Sequence, residues 1–127
     1  MEQHRFACPW TGKAITRPGD YDLDHLLPLS FYPVNELWNL LPVDRIFNQH
    51  IKRDRLPSAE RLAAALPGLA ASYGTYGHSA ALGLALQQDA ALRFGALAGG
   101  DFPTQLAERA VAFIDDVAMT RLAGQRF

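Results

Sequence analysis

The sequence predicts an α+β fold in which a short, strand-containing amino-terminal part precedes a mainly helical extension. Three observations lead to this prediction. Short apolar runs separated by turn signals are concentrated at the start of the chain. A run with helical spacing follows Pro42, and the chain beyond Ser58 is rich in Ala and Leu. Hydrophobic residues make up 49% of the 127 residues and charged residues 20%, which is typical of a folded globular domain.

The amino-terminal part is predicted to contain a hairpin, two strands and a helix. Residues 5–16 carry a Thr-Gly turn signal between two apolar runs, which favours a hairpin. Tyr21 to His25 alternates like a short strand, and residues 37–43 form a second apolar run that Pro42 limits to an edge or an end. A helix of about three turns is predicted from Asp44, which suits its N-terminus by capping or by its charge.

The extension is predicted to be helical near residues 58–66, 78–98 and 103–123. Ser58 is the candidate N-cap of the first helix, with Glu60 in its first turn. Residues 73–77 and 99–101 are predicted connectors. An apolar stripe on the last helix indicates that it packs against the rest of the protein; its members are Leu106, Ala110, Phe113, Ile114, Val117 and Leu122.

The chain is therefore divided into a module of residues 1–57 and an extension of residues 58–127 that packs on it. A module of about 50 residues buries little apolar surface by itself, so a helical cap is the favoured role for the extension. A partner-binding surface is the alternative role.

Charge and cysteine content narrow the possible functions. A formal net charge of −1 argues against binding nucleic acid by overall charge, so any such contact has to be local. Cys8 is the only cysteine, which excludes an intrachain disulfide and a multi-cysteine zinc site. A reducing, cytoplasmic location is the simplest expectation. The sequence shows no apolar segment typical of a signal peptide or a membrane span.

The most informative segment combines an acid, an imidazole and two amides at fixed spacing: Asp24-His25, Asn39 and Asn48. It begins with D-L-D-H-L-L-P and ends with K-R-D-R-L-P-S at Ser58. Over residues 8–58 this sequence resembles the HNH endonuclease family, in the branch that includes the HNH domains of RNA-guided CRISPR nucleases and stand-alone bacterial HNH proteins. The resemblance implies a ββα-metal (His-Me finger) module, which agrees with the predicted order of strand, loop, strand and helix.

The resemblance implies a role for each of these residues. His25 would be the general base that activates water, as its ordinary pKa of about 6.5 allows. Asp24 and Asn48 would hold one Mg²⁺ or Mn²⁺, since hard cations prefer oxygen ligands. Asn39 is placed with His25 among the catalytic residues, as the brace of the loop that carries it. Because neighbours on an ideal strand point to opposite faces, a bend is expected near His25.

Basic residues after Asn48 are predicted to contact nucleic acid. Lys52 would lie one helical turn from Asn48, and Arg53 and Arg55 would contact the phosphate backbone. The family often places its lysine three residues after the final asparagine, whereas here it comes four residues later. His50 would lie about 200° around an α-helix from Asn48, so the two cannot face the same metal, and Asn48 is favoured. With Cys8 alone, no structural zinc is expected.

Two functions are compatible with the sequence. The favoured one is a metal-dependent endonuclease, or the nuclease domain of a larger effector, that hydrolyses DNA; its context would be restriction, a mobile element or antiphage defence. The alternative is a catalytically inactive ββα module that binds nucleic acid or protein. No targeting motif is apparent, so a partner protein or further domains would supply specificity.

Overall fold

The computed structural model describes residues 6–97, 100–121 and 126–127. The fold is α+β, as predicted, with two small antiparallel sheets followed by helices. The strands are β1 (Phe6–Ala7), β2 (Ala14–Ile15), β3 (Tyr21–His25) and β4 (Leu40–Asp44). The helices are α1 (Arg45–Phe47), continued by a π-helical turn (Asn48–Lys52), α2 (Ala59–Tyr76), α3 (Ala80–Phe94) and α4 (Phe102–Thr120); 3₁₀ turns span Pro18–Asp20 and Leu37–Asn39.

The predicted hairpin and strands form two separate two-stranded sheets. β1 pairs with β2, and β3 pairs with β4 from Tyr21 opposite Asp44 to His25 opposite Leu40. The predicted strand over residues 37–43 was wrong at its start. Its first three residues form a 3₁₀ turn, closed by the Leu40 N–H donating to the Leu37 carbonyl, and the strand runs from Leu40 to Asp44.

The helix after β4 is shorter and wider than predicted. The α-helical part changes after Phe47 into a π turn, in which the Arg53 N–H donates to the Asn48 carbonyl at 2.7 Å. Arg53 ends the turn at a φ of +53°, in the left-handed region that side chains other than glycine rarely adopt. Asp44 makes no capping hydrogen bond, and its carboxylate instead lies 3.7 Å from Lys13 Nζ.

Helix α2 extends well beyond its predicted end. Ser58 caps it as predicted, with its Oγ accepting from the Arg61 N–H at 3.1 Å. The helix then continues through Pro67 and into the expected connector at residues 73–77, where it ends at Tyr76. Its apolar face remains buried past Pro67, and this tertiary packing outweighs the local helix-breaking signal. A side chain on the next residue, Gly68, would place its Cβ 3.0 Å from the Pro9 Cα, so glycine lets the hairpin approach closely.

The last two helices lie near their predicted positions. Helix α3 ends at Phe94, before Gly95 with its φ of +79°, and α4 ends at Thr120. The predicted ends at residue 98 and at residues 122–123 fall outside the described residues, as do Leu122 and residue 99 of one predicted connector. The other members of the predicted apolar stripe are buried or pack against the core.

One hydrophobic core joins the amino-terminal module to the extension. Trp38 is fully buried at their junction, with its ring centroid 5.1 Å from that of Phe94 and 5.7 Å from that of Phe113. Helices α2 and α4 pack extensively against each other behind it. Within the described ranges, none of the helices is both long enough and apolar enough to cross a membrane.

Two tyrosines on α2 anchor this helix to the backbone at the start of β4. The buried Tyr73 hydroxyl donates to the Trp38 carbonyl at 2.6 Å, and the Tyr76 hydroxyl donates to the Leu40 carbonyl. Burial raises the pKa of Tyr76 to about 12 and also raises the pKa of Tyr73. Both hydroxyl groups therefore remain protonated donors near neutral pH.

Replacing Tyr73 with Phe tests this anchor. The substitution removes the donor to a buried carbonyl, so we expect it to lower the free energy of unfolding by about 1–3 kcal/mol. Urea unfolding followed by circular dichroism measures the loss. Tyr21→Phe is the matched control on β3, and equal stability of the two variants would show that the Tyr73 hydrogen bond contributes nothing.

Candidate metal and catalytic site

Strand β3 presents two carboxylates to the helical turn that follows β4. Asp22 and Asp24 lie on the same face, because alternate strand residues face the same side. The Asn48 side-chain Nδ2 donates to Asp22 Oδ2 at 3.0 Å, and Lys52 Nζ lies 2.9 Å from Asp24 Oδ2. Each carboxylate therefore meets one of two residues that are a helical turn apart.

Asp22 fixes the orientation of the Asn48 amide. Its other oxygen accepts from Arg45 Nε at 2.9 Å, so the carboxylate is held from two sides. Burial tends to raise the pKa of Asp22, but hydrogen bonds from Asn48 and Arg45 outweigh it and lower the pKa overall. An ionised carboxylate only accepts hydrogen bonds, so the amide NH₂ of Asn48 has to point toward Asp22.

The opposite end of the Asn48 amide is left without a partner. Asn48 Oδ1 is buried and accepts no hydrogen bond from the described residues. A buried polar oxygen without a partner is unfavourable unless a ligand or water satisfies it. The atom of Asn48 that could bind a hard cation is therefore the one that is left without a hydrogen bond.

Lys52 is enclosed within the site. Its side chain is 1% exposed, its ammonium forms the ion pair with Asp24, and it lies 5.9 Å from the centroid of the Phe127 ring. This ion pair balances the negative charge of Asp24. Apart from it, Asp24 Oδ2 has no polar partner within the described residues. The i→i+5 hydrogen bonding of the π turn accommodates the four-residue spacing from Asn48 to Lys52.

His25 ends β3 and contacts a loop residue, Asn35. His25 Nε2 lies 3.0 Å from Asn35 Oδ1. An amide oxygen can only accept, so Nε2 is the donor in this contact, and a neutral imidazole in this arrangement would have its lone pair on Nδ1. The strand remains in register through His25, and the chain bends at Leu26 and Leu27. The bend expected near His25 therefore lies directly after it.

Asn39 braces the chain that follows His25. Its side chain is fully buried, and Oδ1 accepts from the Leu27 N–H at 2.8 Å. Its Nδ2 donates to the carbonyls of Leu27 and Val34, each at 3.0 Å. Asn39 thus connects the bend after His25 to the loop that precedes the 3₁₀ turn.

Helix α3 holds the next part of this loop. Arg93 donates to the Glu36 carboxylate from Nε at 3.1 Å and from Nη2 at 2.8 Å. Trp38 Nε1 donates to Glu36 Oε1 at 2.7 Å, and the Leu37 N–H donates to Asp89 Oδ2 at 2.8 Å. The hydrogen bonds from Arg93 lower the pKa of Glu36 against the opposing effect of burial, and Glu36 raises the pKa of Arg93.

The three residues predicted to bind phosphate differ in solvent exposure and in their contacts. Arg53 is exposed, whereas Lys52 is buried and Arg55 donates to the Ile51 carbonyl at the end of the π turn. His50 is exposed and lies outside the hydrogen-bond network of the site. Phosphate contact by Lys52, Arg53 and Arg55 remains a prediction, and for Lys52 it would require release from Asp24.

The residues present suit a cation bound by few protein ligands. In residues 6–97, 100–121 and 126–127, no three His, Cys, Asp or Glu side chains are grouped to hold a metal ion. The predicted site has a different composition, with one carboxylate from Asp24 and one amide oxygen from Asn48. Such a ligand set suits Mg²⁺, which usually keeps several waters.

Sequence reasoning overlooked three contributors to this site. Asp22 was recognised as part of the motif but received no role, although strand alternation places it beside Asp24. Asn35 lies in the loop between β3 and the 3₁₀ turn, where no sequence pattern indicates a role for it. The contact between Arg93 and Glu36 joins residues 57 positions apart and has no local sequence signal.

A comparison with known protein families agrees with the resemblance found in the sequence. The family described as HNH endonuclease matches residues 8–58, a range that contains every predicted catalytic and metal-binding residue. No curated protein and no solved structure shows a significant match to the chain.

Replacing Glu36 with Gln tests the contact with α3. The folded-state pKa of Glu36 lies below its ordinary value of 4.5, so its contribution to stability is present above that pH and is lost as the pH falls through the folded pKa. We expect Glu36→Gln to cost about 2 kcal/mol near neutral pH and progressively less in acid. Urea unfolding over a pH series measures this difference.

The control for Glu36→Gln is Glu108→Gln, at an exposed position on α4. It should leave the unfolding free energy nearly unchanged across the same pH series, since exposed charges contribute little. A Glu36→Gln cost that stayed constant from neutral to acidic pH would contradict the assignment of an ionised Glu36.

Proposed function

We propose that this protein is a metal-dependent endonuclease that hydrolyses DNA phosphodiester bonds, since residues 8–58 match the family described as HNH endonuclease. The observation that carries the proposal is the unpartnered, buried Oδ1 of Asn48 in a site that also contains Asp24. A folded protein rarely leaves such an oxygen without a partner, so a cation that binds there gives it a role.

His25 is the general base in this proposal. With His25 Nε2 hydrogen-bonded to Asn35, the lone pair on His25 Nδ1 would accept a proton from water. The resulting hydroxide attacks phosphorus, and the bond between phosphorus and the 3′ oxygen breaks. The leaving oxygen takes a proton from a second water molecule, so the products are a 5′-phosphate and a 3′-hydroxyl, and His25 returns its proton to solvent.

Asp24 and Asn48 would hold the divalent cation, Mg²⁺ or Mn²⁺. When bound, the ion supplies stabilisation of negative charge on the phosphate and the leaving oxygen. Asp22 serves this site indirectly, because it holds the NH₂ group of Asn48 and leaves the oxygen available. A ligand fixed before binding loses less conformational entropy when the ion arrives.

Lys52 neutralises Asp24 in the protein without a cation. Lys52 would have to release this ion pair for Asp24 to hold a cation. Its ammonium would then be available to a phosphate oxygen, in the role that the sequence predicted for it.

DNA binding would be local, and specificity would come from elsewhere. Arg53 is exposed directly after the π turn, and Arg55 supports the same segment. With a formal net charge of −1, the chain lacks the overall charge for strong binding by itself. A targeting partner protein or further domains would direct the nuclease to its substrate, in the cytoplasm.

A catalytically inactive binding module is the second candidate. One observation favours it: the Lys52 ammonium already balances the charge of Asp24, so this carboxylate is not left unpaired without a metal. The two candidates differ in whether the protein binds a divalent cation through Asp24 and Asn48, and in whether DNA is cleaved.

Cleavage of supercoiled plasmid with Mg²⁺ or Mn²⁺ tests the role of His25. We expect His25→Ala to lower the cleavage rate by about 10²–10⁴-fold, because it removes the base that activates water. His50→Ala is the matched control, since it removes an exposed imidazole from the same module. Equal rates for His25→Ala and wild type would remove His25 from the mechanism.

Calorimetric titration with Mn²⁺ tests the ligands without relying on activity. We expect Asp24→Ala and Asn48→Ala each to weaken Mn²⁺ binding at least about 10-fold, by removing an oxygen ligand. Asp54→Ala, at an exposed acidic position, should bind as wild type does. If wild type bound DNA but neither bound Mn²⁺ nor cleaved, the inactive module would be the correct account.

A further inference from the structure

The hydrogen bond between Asn35 and His25 selects one state of the imidazole. A neutral imidazole carries one proton, on either Nδ1 or Nε2, and the partner of one nitrogen decides which. Asn35 Oδ1 lies 3.0 Å from Nε2 and holds the proton there. Without this acceptor the ring would be free to rotate and to move its proton to Nδ1, where it could no longer accept one from water.

The backbone around Asn35 is fixed even though its side chain is exposed. On one side, Val34 is 1% exposed and its carbonyl accepts from the buried Asn39 amide. On the other side, Glu36 accepts hydrogen bonds from Arg93 and Trp38. Asn35 is therefore an exposed side chain on a segment that is anchored immediately before and after it.

The anchoring on the carboxy-terminal side of Asn35 comes from α3 of the helical extension. Arg93 holds Glu36 through two hydrogen bonds, and Asp89 accepts from the Leu37 N–H. Both residues lie on the side of α3 that packs near the 3₁₀ turn. The extension thus contacts the two residues that follow Asn35, in addition to covering the core.

We propose that Asn35 is a positioning residue for His25, and that α3 keeps it in place through Arg93 and Asp89. Asn35 keeps the proton on Nε2 and the ring in one orientation, so that Nδ1 is ready to accept a proton from water. The inference rests on the proposed function, because it assigns Asn35 to the same hydrolytic reaction. It gives the extension a part in catalysis as well as in stability.

Two measurements on Asn35→Ala and Asn35→Asp test the role of Asn35. The first is kcat for DNA cleavage with Mn²⁺: we expect Asn35→Ala to lower kcat about 10- to 100-fold with KM nearly unchanged, because a base that loses its orientation acts less often. Asn35→Asp retains an acceptor and should recover most of kcat. The second is the ¹⁵N chemical shifts of the His25 ring nitrogens in metal-free protein at about pH 8, where imidazole is mostly neutral.

In wild type, the shifts should place the proton on Nε2, and in Asn35→Ala the two nitrogen shifts should move toward each other. The exposed His50 provides an internal reference that should not change. Arg93→Met should move the His25 shifts in the same direction as Asn35→Ala and lower kcat about 3- to 10-fold. Arg109→Met, at an exposed position on α4, should change neither quantity.

The outcomes separate this inference from the proposed function. An active wild type whose Asn35→Ala variant keeps full kcat and unchanged His25 shifts would overturn the role of Asn35 alone. Equal losses of kcat in Asn35→Ala and Asn35→Asp, with His25 shifts like those of wild type, would also overturn it. A wild type that does not cleave DNA at all would overturn the proposed function, and the catalytic role of Asn35 with it.

Discussion

The arrangement of the site depends first on the contacts between two carboxylates of β3 and two residues of the π turn. Asp22 and Asp24 leave the same face of the strand, and each meets one residue of the turn. Asp22 can only accept hydrogen bonds, so it draws the NH₂ group of Asn48 toward itself and leaves the oxygen free. The possible chemistry follows from this orientation, because a hard cation binds an amide through its oxygen. With the amide reversed, the same residues would offer no ligand from the helix.

The second constraint is the small size of the amino-terminal part, since a module of about 50 residues buries little apolar surface by itself. The extension compensates by packing Phe94 and Phe113 around Trp38 and by holding α2 to the start of β4 through Tyr73. The same packing brings Arg93 onto the loop beside the histidine. The helices that pack around Trp38 therefore also anchor the loop beside the site.

Much of the fold could be predicted from local signals, and the site only in part. Alternation located β3, and the Ser58 cap located the start of α2, because both depend on neighbouring residues. The continuation of α2 through Pro67 could not be predicted, since distant packing outweighs the local break. Lys52 was predicted to contact nucleic acid, and its burial could not be predicted because it depends on a carboxylate from another element. Asn35 reaches His25 only through the folded loop.

The most direct test of the central claim is a crystal structure of the protein grown or soaked with Mn²⁺, with anomalous scattering used to locate the ion. The account predicts one peak within about 2.0–2.3 Å of both Asp24 Oδ2 and Asn48 Oδ1, with the Lys52 ammonium moved away from Asp24. A well-ordered site at saturating Mn²⁺ with no peak there, and with Lys52 still paired to Asp24, would contradict it.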